Sequence, residues 1–208
     1  MKLLIIDDHD IVRQGVRRLL SLLPDSEVSE AGTAEDGFDV YMREKPAVVV
    51  LDINLSGGSG LELLTRLRSA DTDARIVMFS MHADPVYANR ALRSGALGFV
   101  GKSASADELI EAVKAAANGR RYIDKRLASD MVLNPVEDDP LNALSNREAE
   151  ILRLLGEGKS LNEIARTFGI AYKTVANTCT RLKEKLGVER TADLIRISLE
   201  RVTPRAPG

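Results

Sequence analysis

Apolar residues in the first 120 positions follow two alternating patterns. Short apolar runs, typical of buried strands, occupy positions 3–6, 47–51, 75–79 and 98–100, and a weaker strand pattern occupies 27–31. Between them lie longer stretches in which apolar residues recur every three or four positions, as on one face of a helix: 9–23, 34–44, 59–69, 84–94 and 105–117. Strands and helices that alternate in this way predict βα units. We therefore expect an α/β fold with a five-stranded, doubly wound parallel sheet.

The remainder of the chain has a different pattern. After Gly119 the alternation weakens, and positions 134–140 combine two prolines with three acids. We predict a linker over 121–140, with a short helix near 125–133. From Ser145 onward the pattern is helical throughout, over 146–156, 161–168, 172–186 and 191–200. The sequence thus predicts an α/β domain over 1–120, the linker, and an all-α domain of four helices over 141–208.

The few cysteine and histidine residues and the distribution of charge limit the kinds of site that the chain can form. The chain has one cysteine, Cys179, and two histidines, too few for an internal disulfide or a Cys/His zinc site. A metal site would therefore use oxygen ligands. Residues 1–144 carry 17 Lys and Arg against 23 Asp and Glu, whereas residues 145–208 carry 12 against 8. The basic C-terminal part favours nucleic acid as a partner, although such a charge is also common on solvated surfaces.

The apolar runs also bear on location. None approaches the roughly 18 to 20 residues that a membrane span needs. The run after Met1 ends in two aspartates and is followed by no cleavage region of a signal peptide. We therefore expect a cytoplasmic protein with no membrane partner.

Polar side chains follow the predicted strands at the points where the strands end. Asp7 and Asp8 follow the first strand, Asp52 the third, Ser80 the fourth and Lys102 the fifth. Because the carboxyl ends of parallel strands meet at one edge of a sheet, we expect these side chains to converge. Three crowded carboxylates need a cation among them, and an all-oxygen site favours Mg²⁺, which accepts phosphate as a further ligand. The pattern predicts a site that handles phosphate.

Chemistry assigns roles within this cluster. Asp52 is the predicted nucleophile, whose carboxylate forms an acyl phosphate. Asp7 or Asp8, together with Asp52 and the backbone carbonyl of Asn54, would hold Mg²⁺ and offset charge on the transferring phosphoryl group. His9 also adjoins the cluster, and we interpret it as a polar residue at a helix start in preference to a metal ligand.

The lysine and the hydroxyl complete the set. The Lys102 ammonium would pair with one phosphate oxygen, and the Ser80 hydroxyl would donate a hydrogen bond to another. The whole arrangement resembles the receiver domain of two-component response regulators, which has a flavodoxin-like fold, over about residues 1–120. The resemblance implies that Phe99 is a switch aromatic that moves with Ser80 on phosphorylation, and that a sensor histidine kinase is the phosphoryl donor. Ser56 and Ser103 depart from the family pattern, because proline is usual at both positions.

Two other classes of function compete with this interpretation. Haloacid-dehalogenase-like phosphatases also use an aspartyl nucleophile and Mg²⁺, but they carry a second acid where this chain has Asn54. A phosphorylation-independent DNA-binding or scaffold protein with a receiver-like domain would not need the complete acid, hydroxyl and lysine set. We therefore predict no enzymatic activity other than autophosphorylation from a donor and slow self-dephosphorylation.

The C-terminal pattern predicts a helix-turn-helix. Ser145 and Ser160 each stand three positions before a glutamate and open an amphipathic helix, which is the spacing of a capping box. Gly169 stands where the second of these helices should end, and a short turn leads into a helix that starts at Tyr172. A small basic helical bundle that binds proteins is the alternative.

Two faces are predicted for the helix over 172–186. Its buried stripe would contain Val175, Cys179, Leu182 and Leu186, so Cys179 is interpreted as a small core residue. Its other face would contact DNA, with Asn177 and Thr180 near bases and with basic and hydroxyl groups near phosphates. The predicted DNA-binding residues are Lys173, Thr174, Ala176, Asn177, Thr180, Arg181 and Lys185.

Residues 141–202 resemble the LuxR-type output domain of NarL/FixJ response regulators. In that family the third helix recognises DNA and the fourth often dimerises, which implies a subunit contact through Thr191, Leu194, Ile195 and Ser198. Ala176 and Thr178 replace the lysine and histidine common on the reading face of the family.

Together these features predict a two-component response regulator. Phosphorylation at Asp52 would control dimerisation and sequence-specific binding to double-stranded DNA, and so regulate transcription. The expected partners are the kinase, DNA, a second copy of the chain and, as a further candidate, RNA polymerase.

Overall fold

The computed structural model describes residues 1–55, 58–81, 83–133 and 140–202. The chain divides into two compact units, Met1–Pro135 and Val136–Gly208. Ser56, which departs from the receiver pattern, and the acidic part of the predicted linker lie outside the described residues.

A six-stranded parallel sheet organises the first unit. The strands of this unit are β1 Lys2–Ile6, β2 Glu27–Ala31, β3 Val48–Leu51, β4 Asn54–Leu55, β5 Gly58–Ser59, β6 Ile76–Ser80, β7 Gly98–Gly101 and β8 Tyr122–Ile123. In the sheet they lie in the order β2-β1-β3-β6-β7-β8, and every neighbouring pair is parallel. Strands β4 and β5 form a separate antiparallel pair.

Helices cover both faces of the sheet, which is why its central strands are apolar on both sides. The helices are α1 Asp10–Leu20, α2 Ala34–Glu44, α3 Gly60–Ala70, α4 Pro85–Arg93, α5 Ala106–Ala117 and α6 Lys125–Leu133. Alternation along β1 divides the core in two. Leu4 and Ile6 pack with residues of α2, α3, α4 and α6, and Leu3 and Ile5 pack with residues of α1 and α5.

The predicted elements of this unit are confirmed, with ends that differ from the predicted ones by at most three residues, and the predicted short helix is α6. The sequence predicted five strands, whereas the sheet has a sixth, β8, and the chain also forms the β4–β5 pair. Each of these extra strands has two residues, which is too short to show a period of two. Helix α6 packs on this unit through Leu127, which is buried. The predicted linker therefore starts inside a packed part of the first unit.

The described part of the second unit is helical. It contains a 3-10 helix at Pro140–Ala143, followed by α7 Asn146–Gly156, α8 Leu161–Thr167, α9 Tyr172–Leu186 and α10 Thr191–Val202. Both predicted capping boxes are present, at the starts of α7 and α8. Gly169 has a φ of 62°, in the left-handed region that glycine adopts without strain. Helices α8 and α9 thus form the predicted helix-turn-helix.

Among the residues that the structure describes, no helix is both long enough and apolar enough to cross a bilayer.

Candidate functional site

Three charged side chains meet at the carboxyl edge of the sheet. Asp7 follows β1, Asp52 follows β3 and Lys102 follows β7, and the side chain of each is at most 6% exposed. The Lys102 Nζ lies 2.6 Å from Asp7 Oδ2 and 2.7 Å from Asp52 Oδ2. Two buried carboxylates therefore share one ammonium, which offsets the cost of burying their charge.

Asp8 and His9 extend this acidic pocket toward solvent. The His9 Nδ1 lies 2.7 Å from Asp8 Oδ1 and 3.4 Å from Asp7 Oδ1, and the His9 backbone N–H donates to Asp7 Oδ1. His9 is the N-cap residue of α1, yet its side chain makes no capping hydrogen bond. The imidazole instead faces the two carboxylates, a placement that the interpretation as a helix-start residue did not include.

The ligand atoms in the pocket suit a single cation. One ligand atom from each of Asp7, Asp8, His9 and Asp52 lies within 4.8 Å of the others. Asp52 Oδ1 is buried and accepts no hydrogen bond from the residues that the structure describes. Carboxylate oxygens at this spacing fit a hard divalent cation. The side chains present are therefore compatible with the predicted oxygen-ligated metal site.

Burial and charge set the proton affinities in the pocket. Burial raises the pKa of the Asp52 carboxyl above its usual value, although the Lys102 ammonium favours the ionised form. Burial opposes the charge of Lys102, but its hydrogen bonds to Asp52 and Asp7 outweigh that effect and raise the pKa of the ammonium. Lys102 is thus held in its charged form beside Asp52.

The chain doubles back tightly after Asp52. Asn54 pairs with Ser59 in the β4–β5 ladder, and the Gly60 N–H donates to the carbonyl of Ile53 at 2.7 Å. A side chain at Gly60 would collide with the backbone carbonyl of Asp52, so this close approach requires glycine. The hairpin places Asn54 beside the pocket, and the role of its carbonyl as a metal ligand stays a prediction.

The two predicted switch residues lie on neighbouring strands. Ser80 ends β6 and Phe99 lies in β7, and both are fully buried. The Lys102 backbone N–H donates to the Ser80 carbonyl at 2.8 Å, so the hydroxyl-bearing residue and the lysine are joined through the backbone. Phe99 packs in the core cluster between the sheet and α4. The hydrogen bond to Lys102 places Ser80 beside the pocket, while the movement of Ser80 and Phe99 stays a prediction.

Helix α9 presents the predicted polar face. Its predicted DNA-binding residues are exposed, apart from the half-buried Ala176: Lys173, Thr174, Asn177, Thr180, Arg181 and Lys185. On the other face Val175, Cys179 and Leu182 are buried as predicted, and Leu186 is half-buried. Burial also raises the pKa of the Cys179 thiol, as expected of a core cysteine.

The placement of Thr178 on the reading face is wrong. Thr178 is 2% exposed, and its hydroxyl donates to the Thr174 carbonyl at 2.9 Å. It stands three positions after Val175 and four before Leu182, so helical periodicity puts it on the buried stripe. Helical periodicity thus outweighs the family resemblance at this position.

Lys185 has a partner inside the second unit. Its Nζ lies 2.7 Å from Glu148 Oε2 and 3.3 Å from the Ala143 carbonyl. Glu148 is 4% exposed and also accepts the Ser145 backbone N–H in the α7 capping box. The pair fixes α9 against α7, a structural role that the sequence interpretation missed because 37 residues separate the partners. A phosphate contact by Lys185 stays a prediction.

We expect Glu148→Gln to destabilise the second unit. Removing one member of a buried ion pair costs about 3 to 5 kcal/mol, and the exposure of Lys185 places the expected loss at or below the lower end. Burial alone would raise the pKa of Glu148, but Lys185 and Ser145 hold it below its usual value. The ionised group therefore stabilises the fold above its unfolded pKa of about 4.3, and that stability is lost as the pH falls through the lower folded pKa.

Denaturant unfolding of the full chain, monitored by circular dichroism at several pH values, measures this effect. The difference between the wild-type protein and Glu148→Gln should be largest near neutral pH and should shrink below about pH 4. Glu184→Gln, which removes an exposed acid from α9, is the matched control. A difference that stays constant across this pH range would contradict the ion-pair explanation.

Helix α10 turns two of its predicted dimer residues inward. Leu194 is fully buried and Ser198 is 4% exposed. A side chain at Gly156 of α7 would collide with Ser198, so α7 and α10 approach closely there. These two side chains therefore pack within one chain, and the prediction that they form a subunit contact is wrong. Thr191 is exposed and Ile195 half-buried, and a subunit contact through them stays a prediction.

Two family models match the chain. The model described as "Response regulator receiver domain" matches residues 3–114, and the model described as "Bacterial regulatory proteins, luxR family" matches residues 142–198. The first match contains the whole acidic pocket, and the second contains α7, α8 and α9 entirely. The domain limits of 1–120, 121–140 and 141–208 stay predictions.

Several known proteins match this chain over almost its whole length. The chain is 37% identical over 199 residues to the methanol utilization control regulatory protein MoxX of Paracoccus denitrificans, with 94% of this chain and 89% of that protein covered. It is also similar to RcsB from Salmonella enterica serovar Typhimurium bound to a promoter in the presence of phosphomimetic BeF3-, at 25% identity and a TM-score of 0.73, with 96% and 98% of the chains covered. A further similar structure shows two RcsB dimers bound to two parallel DNAs, at 25% identity and a TM-score of 0.59, with 98% and 99% covered.

Proposed function

Because the chain belongs to the bacterial response regulators that join a receiver domain to a LuxR-type DNA-binding domain, we propose that phosphorylation of Asp52 controls its DNA binding. The observation that carries this proposal is the pocket itself. Asp52 is 2% exposed. Its Oδ2 accepts a hydrogen bond from the Lys102 ammonium, and its Oδ1 has no hydrogen-bond partner among the described residues.

Phosphoryl transfer would proceed at the Asp52 carboxylate. An Asp52 oxygen attacks phosphorus, the new P–O bond forms, and the bond from phosphorus to the donor breaks. We propose a sensor histidine kinase as the donor, so that an imidazole nitrogen leaves. Mg²⁺ held by Asp7, Asp8 and Asp52, with the Asn54 carbonyl, would neutralise charge on the phosphoryl oxygens. The resulting acyl phosphate is lost only by slow self-dephosphorylation.

Lys102 and Ser80 would respond to the new group. Once Asp52 carries a phosphoryl group, its contact with Lys102 at 2.7 Å can be replaced by a contact between the ammonium and a phosphate oxygen. The Ser80 hydroxyl would donate to another phosphate oxygen, and Phe99 would repack in the space behind it. The receiver would thereby shift between two conformations with different surfaces.

The second unit would bind double-stranded DNA as part of a homodimer. The exposed polar face of α9 suits the major groove, with Asn177 and Thr180 near bases and Lys173, Thr174 and Arg181 near phosphates. The promoter-bound RcsB structure and the DNA-bound RcsB dimers support the same use of this domain here. Two copies would place their α9 helices about one DNA turn apart, on inverted half-sites. RNA polymerase is a further proposed partner, through which DNA binding would change transcription.

A binding selection on genomic DNA tests the proposal. The full-length protein is incubated with a fragment library, with and without beryllofluoride and Mg²⁺, which together mimic the acyl phosphate. We expect a short inverted repeat to be enriched, and its enrichment to increase at least about tenfold with the mimic, which corresponds to about 1.4 kcal/mol of coupling. Equal enrichment in both states would remove the phosphorylation switch. Absence of enrichment in both states would contradict DNA binding.

A further inference from the structure

A buried carboxylate lies outside the acidic pocket, beside β7. Asp124 stands between β8 and α6 and is 4% exposed. Its Oδ2 accepts the Gly101 N–H at 2.8 Å, and its Oδ1 accepts the Leu127 N–H at 2.8 Å. Because a buried carboxylate is costly without such partners, both hydrogen bonds contribute to holding it in place. Asp124 thus joins a strand to a helix through its two oxygens.

The strand side of this connection leads directly to the pocket. Gly101 is the residue before Lys102, whose ammonium contacts Asp7 and Asp52. The backbone N–H of Asp124 also donates to the carbonyl of Phe99 at 3.1 Å. Asp124 therefore contacts β7 at two points, one beside the lysine of the pocket and one at the predicted switch aromatic.

The helix side leads toward the second unit. Helix α6 has nine residues, too few to be stable without packing. Its first turn is held by Asp124 and by Glu108 Oε1, which accepts the Lys125 N–H at 3.0 Å. Leu127 is 1% exposed and Met131 is partly buried against the same core, which includes Phe99. The chain that follows α6 continues into the DNA-binding unit.

We propose that Asp124 is a positioning residue that couples the Lys102 end of β7 to helix α6. A displacement of β7 at Gly101 moves the N–H group that donates to Asp124 Oδ2. The carboxylate then transmits this movement through Oδ1 to the start of α6. The coupling itself depends only on these hydrogen bonds. Its use as the route from Asp52 to the DNA-binding unit rests on the proposed function.

Two substitutions separate coupling from simple stability. Asp124→Ser keeps one oxygen that can cap α6 at Leu127, but it removes the oxygen that reaches Gly101. Leu127→Ala loosens α6 by leaving a cavity under it. Thr33→Ala removes the N-cap of α2, which is a helix of the same unit without this connection to β7, and serves as the control for loss of a cap.

Amide hydrogen exchange of the full-length protein, without any phosphate analogue, measures the coupling. Leu127→Ala should raise the exchange rate of the Gly101 and Lys102 amides about tenfold in the wild-type background and less than about twofold in the Asp124→Ser background. Thr33→Ala should leave the response to Leu127→Ala intact. If Leu127→Ala prevents folding, Leu127→Val makes a smaller cavity and should raise exchange about threefold with the same dependence on Asp124. Equal ratios in the two backgrounds, or no change at Gly101, would overturn the proposal.

A second arm connects the coupling with the proposed function. With Mg²⁺ and beryllofluoride bound, as seen by fluorine NMR, exchange of the Leu127 amide should change in the wild-type protein and stay constant in Asp124→Ser. An equal change in both proteins would contradict Asp124 as the connection. Failure of the wild-type protein to bind beryllofluoride would count against phosphorylation at Asp52, and the exchange ratios without the analogue then decide the coupling separately.

Discussion

Asp52→Asn is expected to lower phosphoryl uptake from a small acyl phosphate donor by at least about 100-fold, because the amide has no nucleophilic carboxylate oxygen. The side chain keeps its size and its position at the end of β3, where it is 2% exposed. Uptake is measured as the mass increase of the intact protein after incubation with Mg²⁺ and the donor. Asp39→Asn, which removes an exposed acid from α2, should take up phosphoryl groups like the wild-type protein.

The variant should also stay folded, so that lost uptake reports chemistry. Burial raises the pKa of Asp52, which means that its ionised form is held at a cost to the fold. A neutral amide removes that cost and leaves Lys102 paired with Asp7 at 2.6 Å. We therefore expect a thermal midpoint no lower than that of the wild-type protein. Normal uptake by Asp52→Asn, with the added mass on another residue, would contradict the assignment of the phosphoryl acceptor.

Long apolar periodicity explains why most of the fold is predictable from the sequence. Strand β1 places Leu4 and Ile6 on one face and Leu3 and Ile5 on the other, and such a pattern survives because both faces are buried. Helix α9 has the predicted limits because its buried stripe, from Val175 to Leu186, repeats at a spacing of three or four residues. The two-residue strands leave no comparable pattern, since their pairing depends on where tertiary structure places them.

Sheet topology made it predictable that the polar residues of the pocket converge. The hydrogen-bond and ion-pair partners of individual side chains were not predictable. Parallel strands bring the residues after β1, β3 and β7 to one edge whatever the details of their side chains. That His9 turns to Asp8, or that Lys185 pairs with Glu148, depends on distances that only packing sets. Asp124 carried one local signal, an acid directly before a helical pattern. Its second contact, with Gly101 23 residues away, carried none.

The inward orientation of Leu194 and Ser198 changes how a dimer of the second unit can form. Both side chains are buried within one chain, and Ser198 lies against Gly156 of α7, so a symmetric contact through α10 would have to use its outer face. Thr191 and Leu199 are exposed there, and Ile195 is half-buried. A subunit contact through these residues would be small, so we expect it to form only with support from DNA or from the proposed receiver contact.

Substitutions in α9 should separate base contacts from phosphate contacts. Asn177→Ala is expected to reduce affinity for the selected operator by about 1 to 3 kcal/mol, or roughly 5- to 150-fold, because asparagine can form two hydrogen bonds to adenine. Its affinity for unrelated DNA should stay near that of the wild-type protein. Asn177 is exposed on the polar face of the helix, so the substitution leaves the buried stripe unchanged. Binding is measured by titrating labelled DNA at fixed salt.

Arg181→Ala should behave differently, because a cation that contacts phosphate strengthens binding to all sequences alike. The Arg181 guanidinium is held by the Thr178 hydroxyl at 3.3 Å, which orients it on the exposed face before DNA arrives. Its removal should lower the affinity for operator DNA and for unrelated DNA by the same factor. It should also reduce the slope of log K against log salt concentration by about 1. Arg190→Ala removes an equal charge from a residue paired with Asp193, outside α9, and should change the slope by much less. If Asn177→Ala weakened both kinds of DNA equally, or Arg181→Ala left the salt slope unchanged, the assigned division between base and phosphate contacts would be wrong.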